Sequence, residues 1–254
     1  MPLARRYAHP EVERRFLLAG VPPGLTGGRL VVDRYLPGTR LRLREVREPG
    51  SAVTRKLGQR IREGSGPGRI WHTSLELDEA EWELLCGLGG QVLVKARHTV
   101  RLAGGRTISV DVLGGRHTGL VLAEVDLAGV SGSRPAETDL AGTLQVAGLP
   151  VVREVTAEEE YTGGALAAGA RAGPWDVVVY QRPGCGFCHR LRDALAGLGG
   201  RVHWVDVWQD EPAAAFVRAV NAGAETVPTV VVGAEVWTNP DPARVVERLG
   251  RGSG

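Results

Sequence analysis

Two sets of residues in this 254-residue chain have the types and spacing for chemistry. The first is the pair Cys185 and Cys188 in "YQRPGCGFCHRL". The pattern predicts a strand before Cys185 and a helix starting at it. The free N–H groups and dipole of a helix start stabilise a thiolate there, which makes Cys185 the candidate nucleophile. Cys188, one helical turn later, is placed to resolve a mixed disulfide. Arg182 and His189 add positive field. Half of a zinc site and incidental thiols are the alternatives; zinc needs two further Cys or His at matching spacing and the sequence offers no second pair.

The second set is a series of charged strand faces. In "HPEVERRFLL", residues 9–18, alternation puts Glu11, Glu13 and Arg15 on one side of a strand. The same holds for Arg40, Arg42 and Arg44, for Lys56, for Lys95 and Arg97, for Asp111, and for Glu124 and Asp126. Solvated outer faces usually mix signs, whereas each of these strands carries nearly one sign in succession. Turned inward in a closed barrel, they would gather carboxylates and cations in one cavity. Cations hold phosphate oxygens, with Arg doing so bidentately. Paired carboxylates hold Mg²⁺ or Mn²⁺, which keep waters and take substrate phosphates. A carboxylate-oriented water can then attack a terminal phosphorus. Solvated faces over an ordinary apolar core are the alternative.

The elements that must position these residues fall into two groups. Strands are predicted near 11–18, 29–35, 39–47, 51–57, 69–76, 91–101, 106–114 and 119–127. Helices are predicted at 78–88, with an Asp near its N-cap, and at 135–142. Many short antiparallel strands suggest a barrel or sandwich. Residues 161–174, "YTGGALAAGARAGP", read as a linker long enough to leave the two parts independent. Beyond it the order is strand, helix, strand, helix, two strands meeting at Gly233, and a last helix, a small α/β pattern.

The first part resembles the CYTH domains, the triphosphate tunnel metalloenzymes. The residues that carry the likeness are "EVERRF", similar to the Glu-x-Glu-x-Lys opening signature, then "RLRLR" at 40–44, "TRK" at 54–56, "KAR" at 95–97, "ISVDV" in the 107–112 region, "GLVLAEVD" at 119–126 and the closing "EVTAEEEYTGGALA". The likeness covers about residues 5–168. It implies an eight-stranded antiparallel β tunnel with peripheral helices that hydrolyses an inorganic or organic triphosphate with Mg²⁺ or Mn²⁺. It assigns Glu11, Glu13, Glu124 and Asp126 to metal and water, and Arg40, Arg42, Lys56, Lys95 and Arg97 to phosphate; the charged strand faces add Asp111 to the metal set and Arg15 and Arg44 to the phosphate set. Departures are Arg15 in place of the signature lysine, and His72 and Ser74 where many relatives have glutamates. These thin the carboxylate set and keep open a binding module without hydrolysis; an adenylate cyclase is the third reading.

The second part resembles glutaredoxins, most closely the mycoredoxin-like branch, through "CGFC", "QDEPAAAFVRAVNAGAETVPTVVV" and "TNPDPARV" over about 175–250. The resemblance implies an α/β thioredoxin-like domain that reduces disulfides or mixed disulfides, with mycothiol or glutathione as reductant. It implies that Pro228 is cis and that the backbone of Val227 pairs with a bound thiol substrate. The expected fold is therefore α+β in two domains, 1–168 and 174–254.

Bulk composition excludes little else. Net charge is +2, giving no global attraction to nucleic acid polymers or membrane. No signal peptide or apolar span is evident, so a cytoplasmic address is the expectation. Of 31 basic residues only Lys56 and Lys95 are lysines, and both fall on charged strand faces. Cys86, in "WELLCGL", reads as a small buried hydrophobe.

Overall fold

The computed structural model describes residues 7–63, 69–102, 105–127 and 139–250. Eight strands form the first sheet: β1 (His9–Leu18), β2 (Arg29–Tyr35), β3 (Leu41–Arg47), β4 (Thr54–Arg62), β5 (Arg69–Glu76), β6 (Gln91–Arg101), β7 (Thr107–Leu113) and β8 (Val121–Asp126). Their order is β5-β4-β3-β2-β6-β7-β8-β1, every pairing antiparallel, and β1 also pairs with β5. The sheet is thus closed into a barrel with no free edge among these strands. A short strand, β9 (Val151–Glu154), adds to β1 outside the ring.

Register decides which residues look inward, because cross-strand partners share a face. Glu13 faces Asp126, Arg15 faces Glu124, Asp33 faces Arg44, Arg44 faces Lys56 and Arg97 faces Asp111. The alternate residues, among them Phe16, Val94, Ala96, Val110 and Ala123, point outward into a large apolar core. The barrel is therefore built inside out relative to a usual β-domain. At one end the inner residues turn apolar: Leu17, Tyr35, Leu93, Leu113 and Leu122 meet Tyr161 and Leu166. Leu166 belongs to α3 (Gly163–Ala167), which lies across that end.

Two helices flank the strands. α1 (Glu79–Cys86) starts with a reciprocal capping box between Asp78 and Glu81. It buries no residue, so Cys86 is half-buried rather than a core residue. α2 (Leu140–Val146) buries Leu140 and Leu144 against the outer face of the barrel. The helix expected at 135–142 lies further along, and its first part, 135–138, falls outside the described residues.

The second sheet has the order β11-β10-β12-β13, from β10 (Val177–Gln181), β11 (Val202–Asp206), β12 (Thr229–Val232) and β13 (Glu235–Thr238). β10 and β11 are parallel and the rest antiparallel. α4 (Gly186–Ala194), α5 (Glu211–Val220) and α6 (Pro242–Gly250) complete a thioredoxin-like α/β unit.

The two units are not independent. α5 buries Ala213 through Val217 and packs on β2, β6 and β7, so one apolar core runs through both. The segment read as a linker contains α3 and is hydrogen-bonded to the barrel: Gly173 N–H donates to Arg116 O at 2.7 Å and Arg116 Nε to Gly173 O at 3.0 Å. Tyr180 OH accepts from Gly115 N–H at 3.1 Å across the interface. At Gly114 the barrel backbone lies directly against a side chain of α5, since a Cβ there would sit 2.3 Å from the Phe216 ring. Gly114→Ala should therefore lower the unfolding free energy by about 1–3 kcal/mol through overpacking. Urea denaturation checks this, and an unchanged midpoint would count against a packed interface.

Candidate functional site

The barrel interior holds a chain of ion pairs in which each carboxylate faces more than one cation. Asp33, wholly buried, accepts from Arg44 Nε and Nη2 at 2.6 and 2.7 Å and lies 3.5 Å from Arg42 Nε. Asp111, also buried, accepts from Lys95 Nζ and from both Arg97 Nε and Nη2, each at 2.6 Å. Glu124 is 2.5 Å from Arg97 and 3.2 Å from Arg15. Burial alone would raise the pKa of all three. The neighbouring cations outweigh it, Arg44 and Arg42 for Asp33, Arg97 and Lys95 for Asp111 and Glu124, and hold all three below the usual carboxylate range. Burial, reinforced by Arg97, pushes the Lys95 ammonium down.

Glu11 and Glu13 form a separate pair. Arg60 Nη2 lies 3.0 Å from Glu11 Oε2 and 3.0 Å from Glu13 Oε1. His72 Nδ1 is 2.8 Å from the other oxygen of Glu11. Glu13 Oε2 is buried without a hydrogen bond, 3.5 Å from Arg15 Nη2. Burial raises the Glu11 pKa, but the His72 hydrogen bond and the Arg60 charge bring it below the usual value.

Two cavities open beside these pairs. One, about 430 Å³, is lined by Arg29, Arg42, Arg44, Lys56 and Arg97 together with His72 and Ser74. The other, about 380 Å³, is lined by Arg15, Arg40, Arg42, Arg60 and Arg62 beside α3. Arg42 lines both, is 5% exposed, and its Nε has no hydrogen-bond partner. This guanidinium thus borders both cavities with one N–H still without an acceptor.

All the strand-face residues predicted from sequence lie on inner-face positions or just beyond them, but they do not form one cluster. Asp111 and Glu124 are committed to Lys95, Arg97 and Arg15. Asp126 sits exposed at the rim, accepting from Val12 N–H at 3.3 Å. Arg40 lies exposed in the turn before β3. Lys56 is half-exposed, 3.4 Å from Glu76. Sequence reasoning missed Asp33, Arg60 and Arg62. β4 runs to Arg62 rather than stopping at 57, and the alternation from Lys56 through Gly58 to Arg60 was the signal that extended it. Among the described residues no three His, Cys, Asp or Glu are grouped so as to hold a metal by themselves.

In the second unit Cys185 caps α4 and is disulfide-bonded to Cys188, with Cα atoms 5.2 Å apart. Cys185 Sγ accepts from Cys188 N–H at 3.2 Å and lies 3.8 Å from Val227 O. The Val227–Pro228 peptide is cis. Cys188 is buried and Cys185 half-buried, so attack from outside reaches Cys185 first. Phe187 and Trp208 stand exposed at the rim, with Arg190 over the Phe187 ring and Arg182 over the Trp208 ring. His189 is exposed on α4.

Fold and site together define a thioredoxin-fold dithiol unit packed on a closed, charge-lined β-barrel. The glutaredoxin family model matches residues 177–237, and the chain belongs to the glutaredoxin family through this unit. A glutaredoxin of Mycobacterium tuberculosis is 36% identical over 74 residues, 29% of this chain and 88% of that protein. Mycoredoxin 1 of Corynebacterium glutamicum is 37% identical over 76 residues, 29% of this chain and 92% of that protein. Among solved structures, the inorganic triphosphatase NE1496 matches 62% of this chain and 93% of its own, at 23% identity and TM-score 0.39. A Hippeastrum protein with a dominant triphosphatase activity matches 65% of this chain and 98% of its own, at 14% identity and TM-score 0.43.

Proposed function

We propose a two-domain enzyme, divided at 1–168 and 174–254, that joins a triphosphate hydrolase to a glutaredoxin-type thiol–disulfide oxidoreductase. The redox half rests on one arrangement, the Cys185–Cys188 pair at the start of α4 beside cis-Pro228. In the reduced state the Cys185 thiolate attacks a substrate disulfide, forming a mixed disulfide and releasing one thiol. Cys188 then attacks the Cys185 sulfur, releasing the second thiol and leaving the Cys185–Cys188 disulfide. Two equivalents of a low-molecular-weight thiol return it to the dithiol, the first forming a mixed disulfide with Cys185 and the second releasing it as the small-molecule disulfide; the likeness to a mycoredoxin supports mycothiol over glutathione. The backbone of Val227 is the partner for the bound thiol substrate.

The barrel half rests on the convergence of Arg42, Arg44, Lys56 and Arg97 on one cavity, with Arg15, Arg40 and Lys95 close by. That set suits a linear polyanion. The donors also suit a hard divalent ion, Mg²⁺ or Mn²⁺, carried in with the triphosphate. Glu11 and Glu13 are adjacent inner-face carboxylates, Glu13 Oε2 has no hydrogen bond, and Mg²⁺ characteristically takes one or two carboxylates plus substrate phosphates. When bound, such an ion neutralises phosphate charge and acidifies a bound water. Glu13 orients the attacking water, whose oxygen joins the terminal phosphorus as the bridging P–O bond breaks. The products are orthophosphate and diphosphate, and the water's proton leaves through the carboxylate. The cations hold the equatorial oxygens.

Phosphate release from tripolyphosphate with Mg²⁺ or Mn²⁺ tests this. Glu13→Gln should lower turnover by about 100-fold or more, with disulfide reduction unchanged. Full turnover in the variant would overturn the barrel mechanism. A binding module without turnover is the second reading, favoured by His72 and Ser74 in place of carboxylates. Tripolyphosphate that raises the melting temperature but is not cleaved would establish it. No helix is long and apolar enough to cross a membrane, and a cytoplasmic site with disulfide-bearing protein partners is the accompanying proposal.

A further inference from the structure

We propose that Arg60 is a built-in counter-ion that keeps the Glu11–Glu13 seat shut to divalent cations until a polyphosphate draws it away. This rests on the triphosphate reading above and concerns the order in which its two ligands enter. One guanidinium nitrogen of Arg60 is shared between Glu11 Oε2 and Glu13 Oε1, 3.0 Å from each. His72 Nδ1 takes the remaining Glu11 oxygen, leaving Glu13 Oε2 as the open acceptor of the pair. A cation arriving alone must therefore displace a guanidinium held by two carboxylates. It must also do so in the field of Arg15, Arg42 and Arg62, which share Arg60's cavity.

An anion in that cavity changes the balance. Arg60 already lines the cavity wall, and its Nε–H is buried with no acceptor. A phosphate oxygen there satisfies this N–H and, with a second oxygen, offers the bidentate pairing that guanidinium favours. Arg60 then exchanges carboxylates for phosphate without becoming an unpaired buried charge, which would be costly. The freed Glu11 and Glu13 oxygens face the cation that arrives with the polyphosphate. The two ligands enter together, or the anion enters first. Arg60 here is a positioning residue, acting on the cation seat through the carboxylates.

Equilibrium dialysis of the full chain against Mn²⁺, with and without imidotriphosphate as a non-hydrolysable probe, reads this directly. Wild-type protein should retain at least tenfold more Mn²⁺ when imidotriphosphate is present. Arg60→Gln should retain Mn²⁺ alone at least tenfold better than wild type, Arg60→Lys should exclude Mn²⁺ alone as wild type does because one ammonium can also bridge both carboxylates, and adding Glu13→Gln to Arg60→Gln should erase the gain. Wild-type retention of Mn²⁺ alone equal to that of Arg60→Gln would overturn the proposal, as would equal wild-type retention with and without the probe. The wild-type comparison needs no variant to fold. Imidotriphosphate retention is counted in the same cells: failure to bind it overturns the triphosphate reading itself, whereas probe binding with Mn²⁺ retention indifferent to Arg60 overturns only the gating role.

Discussion

Asp33→Asn should be the most destabilising single change in the barrel. Asp33 is wholly buried and neutralises Arg44 directly and Arg42 at longer range. Removing its charge leaves two guanidinium groups in the interior, and breaking a buried pair from one side costs about 3–5 kcal/mol. For a chain of this length that corresponds to a fall in melting temperature of roughly 6–20 °C. The neighbouring arginines hold the Asp33 pKa far below its ordinary 3.8 despite burial. A depressed carboxylate pKa contributes stability that is complete above the unfolded value and is lost as pH falls toward the folded one. The gap between wild type and variant should therefore be constant above about pH 4 and narrow only in stronger acid. Glu154→Gln is the contrast. It breaks the exposed Arg14–Glu154 pair on the outer face and should cost under about 1 kcal/mol. Urea denaturation of both variants over a pH series checks the ordering. Equal effects would mean that the interior pairs are as well solvated as the outer one.

Cys185→Ser should abolish disulfide exchange, with a loss of several orders of magnitude, while Cys188→Ser should keep reduction of small mixed disulfides. The asymmetry follows from geometry. Cys185 is half-buried at the cap of α4, its sulfur 3.8 Å from Val227 O, whereas Cys188 is buried one turn inside the helix. A hydroxyl at 185 still accepts the Cys188 N–H and caps α4, so the fold should survive and the loss should be chemical. Hydroxyethyl disulfide or a mycothiol mixed disulfide, with phosphate release from tripolyphosphate measured in parallel, gives the readout. Exchange retained by Cys185→Ser but lost in Cys188→Ser would reverse the assignment of nucleophile and resolving thiol, whereas equal loss in both would show that small mixed disulfides also need the resolving thiol.

The amino-acid sequence by itself determined the local elements and the character of both sites. Period-two alternation marked Glu11, Glu13, Arg15, Arg42, Arg44, Lys95 and Arg97 as members of single strand faces, because a pleated strand leaves no other choice. The Cys-x-x-Cys pair at a helix start and the Thr-Val-Pro loop are contiguous signals, and both lie where local chemistry placed them. Gly-rich turns bounded most of the strands. Tertiary structure decided what depends on partners distant in sequence. Asp33 is the lone acid of β2 and becomes the centre of an ion cluster only when β2 pairs with β3. Arg60 meets Glu11 and Glu13 only because β1 closes the barrel against β5, which lies beside β4. Alternation says that a face is charged, but not whether each charge meets ligand, water or an opposite charge; cross-strand register makes that choice. The same holds for the packing of the two units. Gly- and Ala-rich residues 161–174 read as a free linker, yet the apolar face of α5 is buried only by lying on β2, β6 and β7. That burial, rather than the linker, fixes the dithiol unit to the barrel.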